Sequence, residues 1–349
     1  MKRFFGIEFL RLLTSISVLL YHYRHFFGPY NSYSGNNFFD SKAELPFYSL
    51  LEGFYTNGFY GVHLFYTISG FVFSHVYLST TREVTGKEFF MNRFARLYPL
   101  HFATLIIVAL LQLLHWTTSN SFQIVQINDV YHFVLNLFFI SSWGFEEGHS
   151  FNAVIWSVSI EIAIYFVFFL LIIYLRKFNL SLTIFLSLIL LAINKFDLND
   201  SLFLECARLF FSGVLIYQIV SRFKSTYILM TISTILIILS FIGNFKIYLF
   251  CPSVLLLFTS AEEFIKNDKI KNFFKMSGNL TYALYLLHIP TQLLILFVAN
   301  SLNFSDSIYF ETYFFFIFFG IMIFLAHFCF KFYENPLNKK IRNILMSKS

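Results

Sequence analysis

Ten apolar stretches recur along this chain, near residues 5–23, 58–79, 97–115, 154–175, 180–194, 203–220, 226–243, 247–261, 278–300 and 309–331. About 20 apolar residues in a helix cross the hydrocarbon of a bilayer. The chain is 57% hydrophobic and only 13% charged, whereas a soluble domain carries about 25% charged residues. The pattern predicts an all-α, polytopic membrane helix bundle of about ten transmembrane helices. No internal repeat, long linker or appended soluble domain is visible. The expectation is one integral-membrane domain over 1–349, with its core at about 5–340.

Charge sets the expected topology. With the N-terminus inside, the cytoplasmic segments hold Lys2, Arg3, Arg82, Lys87, Arg93, Arg96, Arg176, Lys177, Arg222, Lys224, the lysines of 266–275 and the basic tail after 331. The outer segments hold only Arg24, Lys42, Lys195 and Lys246. This is the positive-inside asymmetry. It would collapse if a further apolar run, 131–142, also crossed. That run is short for a span and is expected at, or dipping into, the outer face. Both termini are then cytoplasmic. MKRF runs into the first apolar stretch without a small-residue cleavage site, so no cleaved signal is expected.

The net charge of +6 calls for no nucleic-acid partner, because cytoplasmic loops account for it. Cys206, Cys251 and Cys329 lie in or beside apolar runs, show no metal spacing and read as small hydrophobic fillers. With 52 Phe and 21 Tyr against 14 Gly, the composition points to an A/T-rich, bacterial coding sequence. The expected location is therefore a bacterial plasma membrane.

Within the spans a few polar residues stand out. Arg11 and His22 share the first helix, and eleven residues separate them by roughly 16 Å of rise. A buried arginine is costly in lipid and normally faces a polar partner. Glu161 lies about two turns below the expected outer surface, at a depth similar to His22, with Ser157 on the same helix face. A carboxylate beside an imidazole orients it and strengthens it as a base. A structural ion pair of Glu161 with Arg208 is the alternative. Gly58, Gly61, Ser69 and Gly70 let another helix approach closely, and Ser69 is also a potential donor to a ligand. Arg93 and Arg96, three apart, present two guanidiniums suited to phosphate, or else ordinary cytoplasmic anchoring. His288 lies near mid-membrane, just before Pro290, which frees a carbonyl and kinks the helix. Glu334 is a candidate partner for a loop arginine. The Tyr, Asn, Ser and Gly of PYNSYSGNN in the outer loop 24–57 suit a sugar-binding surface or an aromatic belt.

Six segments in order, Arg11-X10-His22, NGFYGVHLFYTISGF, FFMNRFARLYP, IWSVSIE, GNLTYALYLLHIP and FYENP, resemble the acyltransferase-3 family of membrane-bound O-acyltransferases over about residues 5–340. His63 departs from the acidic residue frequent there and receives no role. The extracytoplasmic SGNH-type domain that some members append is not expected here. The resemblance implies transfer of an acyl group, commonly acetyl, from cytoplasmic acyl-CoA to a hydroxyl of a glycan or lipid-linked glycan. It also implies that Arg11, His22, Arg93 and Arg96 are required.

The expected roles follow. Arg93 and Arg96 hold acetyl-CoA phosphates, and Arg11 steadies the thioester or the CoA moiety. His22 takes the hydroxyl proton, Glu161 orients it or balances the imidazolium, and attack on the acyl group is direct or passes through an acyl-enzyme on His22. Ser69 and Ser157 are candidate oxyanion donors, and His288 a candidate substrate contact. No metal is expected. O-antigen, capsule, exopolysaccharide, peptidoglycan and small glycosides are all open as acceptors. The competing class is a glycolipid transporter or flippase, which would use broken helices or inverted repeats. A sensor or scaffold would not need the inner arginines and the outer histidine together.

Overall fold

The computed structural model describes residues 3–28, 44–80, 82–195, 201–223, 225–242 and 246–346. The PYNSYSGNN stretch, 29–37, lies outside them. The helices, in order, are α1 (Phe5–His22), α2 (Tyr48–Asn57), α3 (Tyr60–Tyr77), α4 (Gly86–Ser119), α5 (Val130–Leu137), α6 (Ile155–Lys195), α7 (Leu202–Arg222), α8 (Thr226–Ser240), α9 (Lys246–Ser260), α10 (Asp268–Ser301), α11 (Thr312–Cys329) and α12 (Asn335–Met346). The described residues hold no strand, only a single bridge between Ile127 and Ser150. Among the described residues, seven helices are long and apolar enough to cross a membrane, and the apolar stretches Leu180–Ile193 and Thr226–Ser240 are shorter. The chain is thus a polytopic helical membrane protein. The run expected at the outer face forms α5, whose eight residues rise about 12 Å, far less than the roughly 30 Å of hydrocarbon.

Two compact units divide the chain. The first comprises Met1–Thr14, Tyr60–Gly86 and Ile160–Asn279. Its α3 and α7 meet at two glycines: a Cβ on Gly70 would lie 1.8 Å from the Phe210 carbonyl oxygen, and one on Gly213 would lie 1.9 Å from that of Thr67. In lipid such close backbone contact replaces the hydrophobic drive that operates in water. Ile7, Leu10, Ile68, Phe71, Ile216 and Leu255 pack around it.

Residues of α6 form one helical stretch, yet its halves are not collinear. Phe168 packs on Phe210 with ring centroids 5.5 Å apart, while the Leu190 carbonyl accepts from Arg208 Nε at 2.9 Å. On a straight helix Phe168 and Leu190 would stand about 33 Å apart. The helix therefore doubles back between the apolar segments that end at Lys177 and begin at Leu180. Two antiparallel arms result.

The second unit comprises Ser15–Phe59, Lys87–Ser159 and Leu280–Ser349. Here the second half of α1 lies along α10. Ser15 donates to the Thr281 carbonyl at 3.4 Å, and His22 meets His288. Both numbers rise by seven, so the two helices run in the same direction.

Candidate functional site

The second unit builds its site on α10. Pro290 has no N–H, so the carbonyl four residues earlier, on Leu286, loses its helical partner. The buried Asn152 replaces it, donating from Nδ2 to the Leu286 oxygen at 3.0 Å. One turn of the kinked helix is thereby repaired from outside, and His288 sits inside that turn.

His288 Nε2 lies 2.9 Å from His22 Nδ1. The ring centroids are 4.9 Å apart and the planes 13° from parallel, so the two rings meet edge to edge across this contact. Gln292, one turn further on, donates from Nε2 to the His22 carbonyl at 2.8 Å. That amide fixes the backbone while His288 fixes the ring. Just past α1, the His25 ring stands 4.8 Å from that of His22. His288 is fully buried, whereas His22 retains 7% exposure. Of the hydrogen-bonded pair, His22 is the one with an accessible edge.

Six residues before His288, about 9 Å along α10, Tyr282 donates to the Leu97 carbonyl at 2.7 Å. Its ring lies under the Arg96 guanidinium, 5.7 Å from the centroid. Arg96 is ion-paired with Glu334, which a π-helical turn, Phe330–Glu334, turns toward α4. Tyr333, from the same turn, donates to the Pro99 carbonyl at 3.1 Å. Ser157 and Tyr285 bring their hydroxyls within 2.7 Å, and both sit on the Val154 carbonyl.

Arg93 stands three residues before Arg96 on α4, in the same unit; Arg11, Ser69 and Glu161 lie in the first unit. Arg11 pairs with Glu8 at 3.4 Å, and Glu8 also holds Arg3 at 2.8 Å. Ser69 shares a 3.3 Å hydrogen bond with Tyr165. Glu161 lies within electrostatic range of Cys206. Arg208 donates to the Leu190 carbonyl and to the Tyr248 hydroxyl. His22 Nδ1 is taken by His288, a contact the spacing of the sequence did not announce. The physical reason is that α10 runs beside α1, which brings a residue 266 positions away into contact. His63, left without a role, meets Glu205 at 2.6 Å.

Several of these partners carried a local signal. Glu8 and Arg11, and His22 and His25, are three apart and share a helix face. His288 and Gln292 are four apart. Among the described residues, no group of three or more His, Cys, Asp or Glu is arranged to hold a metal.

A family model described as an acyltransferase domain matches residues 4–330 of the chain. No curated protein and no solved structure matches it.

Proposed function

The chain belongs to the acyltransferase-3 family, and from that membership, which makes it a membrane acyltransferase, we propose that it moves an acetyl group from acetyl-CoA to a hydroxyl of a cell-surface or lipid-linked glycan. Arg93 and Arg96 hold the donor phosphates on the cytoplasmic side of a bacterial plasma membrane. A guanidinium has five N–H donors, enough for one side chain to hold Glu334 and a phosphate together. The acyl arm reaches along α10 toward His22. Arg11, steadied by Glu8, is required for donor binding.

His22 takes the proton of the acceptor hydroxyl as the oxygen attacks the thioester carbonyl carbon. The tetrahedral centre then collapses, the C–S bond breaks, and the CoA sulfur takes the proton back from His22. Donor and acceptor leave as free thiol and ester.

The observation that supports this reading is the sharing of α10: Tyr282 underlies Arg96 and His288 holds His22, two turns apart on one helix. General-base catalysis contributes roughly 100- to 10,000-fold. In membranes given labelled acetyl-CoA, His22→Ala should therefore reduce label entering glycan by that factor at equal membrane abundance. Unchanged labelling in His22→Ala refutes the assignment. Absence of any label transfer by the unaltered protein, with glycolipid crossing instead, would favour a flippase.

A further inference from the structure

Building on the reading of His22 as the base, we infer that His288 is a positioning residue that holds His22 in the one tautomer able to act. A neutral imidazole has one donor nitrogen and one acceptor nitrogen, and the partner of each decides which is which. The Nδ1 edge of His288 is buried and closes no hydrogen bond, and a helical side chain leans back over the preceding turn, where the Leu284 and Tyr285 carbonyls stand. Carbonyl oxygens only accept. A lone pair on Nδ1 would face other lone pairs, whereas an N–H there faces two acceptors. The proton of neutral His288 therefore sits on Nδ1, which leaves Nε2 bare. Bare Nε2 must accept across the 2.9 Å contact, so His22 Nδ1 is the donor. His22 Nε2 is then left with its lone pair, on the ring that keeps some exposure.

The arrangement does for His22 what a carboxylate does in a hydrolytic triad, without an anion in the membrane interior. The chain of assignments runs one way: the α10 backbone sets His288, and His288 sets His22. The Gln292 bond to the His22 carbonyl holds the two helices in register while this happens. When His22 becomes an imidazolium during transfer, its Nδ1–H still points at the bare Nε2. The contact thus survives the proton transfer and strengthens with charge.

The test replaces His288 by Gln, Met and Asn and reads transfer of label from acetyl-14C-CoA to glycan in membranes with matched amounts of the protein. A Gln amide reaches the Nε2 position and offers a carbonyl oxygen to His22. Met fills the space without a strong acceptor. Asn is polar but stops at the Nδ1 position, and it serves if Met fails to accumulate. His288→Gln should stay within about 3-fold of the unaltered protein, and Met and Asn should lose roughly 100-fold in kcat. The KM for acetyl-CoA should change little. In a His22→Ala background, His288→Met should leave the residual rate within about 2-fold, because a residue that acts through His22 has nothing left to act on.

Full activity of Met and Asn, a Gln variant as slow as Met, or full additivity with His22→Ala overturns the inference. The parent reading falls by a different result, full activity of His22→Ala. An inactive His22→Ala beside a fully active His288→Met leaves the base in place and removes only its positioner.

Discussion

Removing Arg96 should destabilise this protein more than removing its partner. Glu334 is 2% exposed and Arg96 25%, and the second carboxylate oxygen of Glu334 is buried without a partner. Arg96 therefore provides the neutralisation of that carboxylate. In Arg96→Met the charge stays buried and unpaired, which costs about 3–5 kcal/mol. In Glu334→Gln the guanidinium keeps its solvent access and the Tyr282 ring beneath it. The loss is then one bond to a charged group, about 1.5 kcal/mol at the low end of the range. The double variant removes both charges and should recover about 1 kcal/mol of the Arg96→Met penalty, within the coupling usual for contacting residues. Thermal unfolding of the detergent-solubilised protein gives the order: Arg96→Met lowest, the double variant between, Glu334→Gln highest. If Arg96→Met is no worse than Glu334→Gln, or the double is no better than Arg96→Met, the burial argument is wrong. The double variant also separates two roles. A folded double with a raised KM for acetyl-CoA assigns Arg96 to the donor as well as to the fold, and an unchanged KM assigns it to the fold alone.

Two further outcomes test the packing. Gly213→Ala should force α3 and α7 apart, because its Cβ would lie 1.9 Å from the Thr67 oxygen. Overpacking costs about 1–3 kcal/mol and occasionally more, seen as loss of a monodisperse peak in size exclusion. Gly320→Ala, where nothing lies within 4 Å, should elute as the unaltered protein does. Asn152→Leu should cost about 1–3 kcal/mol by leaving the Leu286 carbonyl unpaired. The same change in a Pro290→Ala background should cost far less, since the new N–H at 290 reaches Leu286. Equal melting losses in both backgrounds refute the repair.

The bundle was legible because lipid leaves few options. A chain with so many long apolar runs must close its backbone hydrogen bonds within helices. The turn between the two arms of α6 was legible from Arg176 and Lys177, which split one apolar region into two. Close approach through Gly70 followed from its small size. Pro290 announced a freed carbonyl, but not that Asn152 would fill it, since the two lie on different segments and no local spacing links them.

What the sequence held, and a residue-by-residue search passes over, is a stripe. Thr281, Tyr285, His288 and Gln292 recur at spacings of four, three and four along an otherwise apolar helix, so they share one face. Polar groups are costly at membrane depth unless they face partners, so this face must point inward and meet other polar groups. Each member does. At Thr281 it is the main-chain carbonyl that accepts from the Ser15 hydroxyl; among the side chains, Tyr285 meets Ser157, His288 meets the His22 ring and Gln292 meets the His22 backbone. Three of the four contacts fall on α1. Ser15 and His22 are seven apart, as are Thr281 and His288, so each helix presents its polar residues at the same interval. A shift of either helix by one residue would break all three bonds at once, leaving several polar groups unpaired in a medium that offers no water to replace them. The polar stripe therefore sets the register of α10 on α1, and the geometry at His22 is inherited from that register.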